Sequence, residues 1–132
     1  MRLSHAAKYA IYALVHMAAR EDNALRISRA IAREEGIPDL YLMKVLRPLV
    51  TRGILRSIKG PNGGYNLARA PREITLLDII EAIDGPIRGH VSFEGVGVRA
   101  LEQKLQAACD EAAAEVRRQL RKVRLTDLSR KR

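Results

Sequence analysis

A chain of 132 residues has room for one domain with an appended helix, and 47% hydrophobic residues supply a core. Aromatics are only 4% with no Trp, so that core is aliphatic. One cysteine, Cys109, excludes an intrachain disulfide and any C-x-x-C metal site, and points to a reducing, intracellular setting. Net charge is +9, and residues 1–72 hold 13 Lys+Arg against 5 Asp+Glu while the rest hold 11 against 10. A positive excess confined to one half fits a polyanion partner, because each neutralised phosphate releases condensed counterions; alone, it fits a solvated basic surface equally well.

The opening "MRLSHAAKYAIYALVHMAA" has the early Arg and apolar content of an export signal. Lys8 and His16 interrupt it, so it reads instead as an amphipathic helix of a cytoplasmic protein with no membrane partner. Ser4 is placed to cap this helix, which runs to about Arg20. Ala6, Ala10, Ala13, Leu14, Met17 and Ala18 form one stripe, and Ile11, Val15 and Ala19 form a second. A helix apolar on two sides must be covered on two sides: one cover is its own core, and a second subunit is expected as the other.

"EDNA" is a polar break. Ile27 to Glu35 then reads as a short helix with Ile27, Ala30 and Ile31 inward. Gly36 is a left-handed stop, Ile37 plugs the turn, and Pro38 opens the next helix. That helix runs to about Arg52 and buries Leu42, Val45, Leu46 and Leu49; Pro48 inside it predicts a kink or a loosened last turn. Helix, glycine turn, helix is the helix-turn-helix pattern, though many helical hairpins share it.

Residues 54–59 and 65–68 read as two strands joined by "GPNGG". Glycines supply positive φ and Pro61 stiffens the bend, so a hairpin follows the second helix of the motif: a wing. Lys59 at its base and Asn62 at its tip are groups to offer a phosphate backbone or minor groove, and Gly63 shares that turn. The fold class expected is mainly α with a small β-hairpin, a winged helix-turn-helix plus a long C-terminal dimerisation helix.

Thr75 and Asp78 form a capping box for a helix with Leu76, Ile79, Ile80 and Ile83 inward, stopped at Gly85-Pro86. The expected organisation is a winged-helix DNA-binding domain over 1–84, a glycine-rich linker over 85–98, a dimerisation helix over 99–124 and a basic tail over 125–132, frayed at "SRKR". Leu101, Leu105, Ala108, Ala112, Val116, Leu120 and Val123 trace the long helix's apolar stripe, which suits a dimer interface.

The stretches "MRLSHAAKYAIYALVHMA", "GIPDLYLMKVLRPLVTRGIL" and "SIKGPNGGYNLAR" followed by "ITLLDIIEAIDGP" resemble the Rrf-type family of bacterial winged-helix transcription regulators, closely over residues 1–87. The resemblance implies a homodimeric repressor or activator, with repression the favoured sign, on double-stranded DNA carrying a palindromic operator. It places Tyr41 and Lys44 at the major groove, Lys59 near the minor groove, and Ser4 and Ser28 near phosphates. Arg47 joins them because it lies three residues past Lys44. Leu40 stands where family members often carry a small polar residue. Cluster-binding members carry three cysteines between the fourth helix and the long helix; "IRGHVSFEGVGVRALEQK" has none, so no iron–sulfur cluster of the family's usual kind is expected.

Cys109 reads as a packing residue at the stripe's edge, with an intersubunit disulfide as the redox alternative. His5 meets phosphate or solvent, His16 is a surface or interface residue, and His90 is the one candidate metal or effector contact. No P-loop, G-x-S-x-G or paired-carboxylate signature supports an enzyme. Two other classes stay open: a winged-helix adaptor that binds a partner protein, and non-specific RNA binding, which the shortage of aromatics for stacking opposes.

Overall fold

A computed structural model of the chain describes residues 1–89 and 99–129. Helix α1, His5–Ala18, starts where the Ser4 hydroxyl accepts from the Ala7 amide at 3.0 Å. It lies at the centre of the molecule and touches every helix from the second to the fourth, the hairpin and the chain's last turn. Its second stripe is therefore largely covered by its own chain: Val15 is buried and Ile11 half-buried.

Helix α2, Ser28–Glu35, ends at Gly36, whose φ of 68° makes the left-handed cap that ordinary side chains resist. Ile37 closes the turn from inside. The sequence placed Ile27 inward, but it caps α2 with its side chain exposed. Helix α3, Asp39–Thr51, follows at once and buries Leu42, Val45, Leu46 and Leu49. It continues through Pro48 to Thr51, whose hydroxyl donates to the Arg47 carbonyl at 3.1 Å, so Pro48 does not end it.

Strands β1, Leu55–Ile58, and β2, Gly64–Leu67, pair antiparallel with Leu55 opposite Leu67 and Ser57 opposite Tyr65. A 3-10 turn over Pro71–Glu73 leads to helix α4, Leu76–Asp84. The capping box is present, with Thr75 Oγ1 and the Asp78 carboxylate each 3.0 Å from the other residue's amide. Leu77, rather than Leu76, is the buried residue of its first turn.

Helix α5, Arg99–Arg121, buries no residue fully and packs along α4. Its 23 residues span about 34 Å. The end of the chain corrects an expectation. The sequence sets residues 125–132 apart as a basic tail, yet Leu125–Leu128 is a 3-10 turn and Leu125 sits fully buried in the core. The Leu125 amide donates to the Ile74 carbonyl, and the Leu76 amide to the Val123 carbonyl, each at 2.8 Å. The core these elements enclose is aliphatic throughout: Leu14, Ile31, Leu42, Leu46, Ile79 and Leu125 are among its largest members. Among the described residues, no helix is long and apolar enough to cross a membrane.

Candidate nucleic-acid interface

The buried face of α3 dictates its exposed one. With 42, 45, 46 and 49 inward, positions 40, 43, 44 and 47 share the opposite stripe: Leu40, Met43, Lys44 and Arg47, all exposed. Tyr41 is also exposed, and the Lys44 ammonium lies 5.8 Å from its ring centroid, within cation–π range. Behind Tyr41 stands Tyr9 of α1, the ring centroids 6.0 Å apart and tilted by 43°. Tyr9 braces the outward tyrosine across two helices. Sequence reasoning missed it, because periodicity along α1 says nothing of what a side chain meets on α3.

The wing is more firmly held than the sequence suggests. Lys59 and Asn62 are exposed in the turn, and the Gly63 amide donates to the Gly60 carbonyl at 3.0 Å. A Cβ on Gly63 would collide with the Ile58 carbonyl, and one on Gly64, at φ 148°, would lie 2.6 Å from the Arg26 carbonyl. That second approach exists because Arg26, just ahead of α2, pairs with Tyr65 through two backbone bonds of 2.8 Å. Asn23, at φ 49°, adds a clamp: its side-chain amide donates to the Leu67 carbonyl at 3.0 Å and accepts from the Leu67 amide at 3.1 Å. The polar break "EDNA" is thus the anchor of the wing, and only the Asn hinted at it.

Among the described residues, the cations of this surface take part in no ion pair. Arg26, Arg69, Arg117 and Arg118 each lie beside a carboxylate, whereas among the described residues Lys44, Arg47 and Lys59 form no ion pair. On exposed α5, the Glu115 carboxyl is held below its ordinary range by its bonds to Arg118 and then Gln119. The cations of α3 and the wing are open to an outside anion, as are others among the described residues, such as the exposed Arg29, Arg33 and Arg56.

The remaining expected residues fall in different places. Ser28 is the first residue of α2 and half-buried; Ile27 supplies no side-chain cap, so amides of the first turn are available to a phosphate. Ser4 departs from expectation. Its hydroxyl donates to the Asp84 carboxylate at 2.8 Å while capping α1, and that carboxylate would repel a phosphate. His16, expected at a surface or interface, is buried at 4% exposure. Its Nδ1 lies 3.0 Å from Glu35, and its Nε2 3.2 Å from Glu34 and 3.3 Å from Arg26. Cys109 is half-buried in a cleft of about 560 Å³ between α5 and residues 84–89, where Gly89 abuts its backbone. His90 lies outside the described residues.

Two helices joined by a left-handed glycine and followed by a clamped hairpin define a winged helix-turn-helix, with exposed cations on its second helix and its wing. The comparisons with known proteins agree. Residues 3–131 match the Rrf2 family model, described as an iron-dependent transcriptional regulator, and the chain belongs to that family. A protein of Aquifex aeolicus named for an HTH-type transcriptional regulator is 41% identical over 81 residues, 61% of this chain. The matches span 56% of that protein and 54% of a Mycobacterium tuberculosis relative, little more than half of each. Among solved structures, CymR of B. subtilis, titled its global cysteine regulator, superposes with a TM-score of 0.76 at 26% identity, covering 98% of this chain and 96% of that one. IscR of T. potens gives a TM-score of 0.64 at 25% identity, over 97% and 85%.

The family description implies iron, and the donor set here does not fit a thiolate-held cluster. One chain offers a single thiol, Cys109, and among the described residues no three His, Cys, Asp or Glu side chains converge to hold a metal ion.

Proposed function

We propose that this chain is a homodimeric, sequence-specific regulator that represses transcription by occupying a palindromic operator. The observation that carries the reading is the set of exposed cations, Lys44, Arg47 and Lys59, on α3 and on a wing that Arg26 and Asn23 pin to the segment ahead of α2. In this reading α3 enters the major groove, with Tyr41 and Lys44 aimed at base edges and Arg47 at the flanking phosphates. The wing lays Lys59, Asn62 and the Gly63 backbone along the adjacent backbone, and the start of α2 at Ser28 meets a further phosphate.

Dimerisation supplies the palindrome. The exposed apolar positions Leu101, Leu105, Ala108 and Ala112 of α5 repeat at three- and four-residue steps, as a helix–helix seam requires. Two copies then read half-sites about one helical turn apart. Regulation proceeds without an iron–sulfur cluster, and the cleft beside Cys109, which is the chain's one redox candidate, lies between the wing domain and α5.

The test is binding to genomic duplex fragments, random duplex and single-stranded RNA across a salt series. Lys59→Ala is expected to weaken all duplexes alike and reduce the salt slope by about one. Lys44→Ala is expected to change the ranking among fragments. An unchanged slope for Lys59→Ala removes the wing from the interface, and equal affinity for every nucleic acid removes the regulator reading.

A further inference from the structure

Water-exposed apolar side chains are unevenly distributed here. Among the described residues, half of the large exposed ones fall between positions 27 and 58: Ile27, Leu40, Tyr41, Met43 and Ile58. Leu40 is the extreme case at 80% exposure, with Met43 at 46%. They are three residues apart on α3, on the same stripe as Lys44 and Arg47, so whatever covers them must also accept two cations.

We propose that Leu40 and Met43 read thymine, by packing against the C5-methyl groups of thymines in each half-site. The proposal rests on the DNA-binding reading above and deepens it. Along the floor of the major groove, the thymine methyl is the one apolar group; every other base edge presents donors and acceptors that an alkyl side chain would strip of water without replacing. Leu40 is the second residue of α3, in the turn that a helix-turn-helix protein inserts furthest towards the bases. Its neighbour Asp39 opens the same turn, and a carboxylate there is repelled by phosphate, which directs this end of α3 towards base edges rather than the backbone. The cations come later, first Lys44 over the base edges and then Arg47, where the helix rises towards the strands of phosphate. An apolar tip followed by a basic shaft matches a methyl-bearing floor between anionic walls.

The experiment begins with selection of bound duplexes from a randomised pool, followed by replacement of each thymine in the enriched half-site with deoxyuridine, which removes only the methyl. Wild-type protein is expected to bind about fourfold more weakly for each methyl lost at one or two positions. Leu40→Ala should abolish the discrimination at one of these and Met43→Ala at the other, each with a matching loss of affinity of about fourfold for the thymine-bearing duplex. Both side chains are exposed, so folding is preserved, and circular dichroism verifies it.

If enriched duplexes carry no methyl-sensitive thymine, or the sensitivity survives both substitutions, the inference is overturned while the regulator reading stands. Such a result leaves the patch to a protein partner. Failure to enrich any duplex overturns both together.

Discussion

His16 shows how one buried side chain can tie a reading head together. Its Nδ1 lies against Glu35 and its Nε2 against Glu34 and Arg26, so both ring nitrogens have polar partners. The Glu35 side chain is itself only 5% exposed, so its carboxylate depends on protein donors rather than water. Arg26 carries the connection onward through its backbone pairing with Tyr65 of the wing. His16→Leu keeps much of the volume and removes both bonds; it is expected to lower stability by about 2 kcal/mol, measured by urea unfolding. A change within a few tenths would show that the network is not a structural tie. None of this was legible in "LVHMAA", because helical periodicity places residue 16 on α1 but cannot know that Glu34 and Glu35 lie beneath it. Ser4 was half legible. Its capping role follows from local sequence, whereas its bond to Asp84 spans 80 positions.

At the scale of elements, the helix pair and the hairpin were readable because their signals are local: Gly36 between two apolar stripes, and a turn rich in glycine between two β-prone runs. What fixes the wing was not readable, since Arg26 and Asn23 reach it from about 40 residues away. The glycines sort into two kinds on this account. Gly60, at φ 110°, faces open space, so an added methyl costs only backbone strain, about 1 kcal/mol. Gly64 combines φ 148° with the Arg26 carbonyl in the way. Gly64→Ala should therefore push the wing off residues 25–26, costing about 2 kcal/mol or more, exposing the Arg26 and Tyr65 amides to hydrogen exchange, and weakening duplex binding. Gly60→Ala should leave those amides protected. Equal exchange in the two variants would mean that the Arg26 pairing does not hold the wing.

Across the whole molecule, α5 has two duties that its sequence blurs. Its C-terminal end belongs to the monomer: Arg117 lies 3.4 Å from Glu81 of α4, and the chain then turns so that Leu125 enters the core. Two Leu three residues apart within "RKVRLTDLSRKR" are too few to give a periodic signal, so a buried anchor looked like a tail. The N-terminal half is different, for Leu101 and Leu105 remain 54% and 42% exposed. In the proposed dimer their placement separates folding from assembly. Charging them, as Leu101→Asp with Leu105→Asp, removes an apolar seam without touching the core, so unfolding of the protomer should be little changed while sedimentation reports a monomer. Operator binding should then fall by about a hundredfold or more, because the second half-site is no longer presented at the high local concentration that a dimer provides. Affinity for an isolated half-site should be unaffected. A double variant that stays dimeric would place the subunit contact elsewhere, with the half-buried Ile11 and exposed Tyr12 of α1 the next surface to alter.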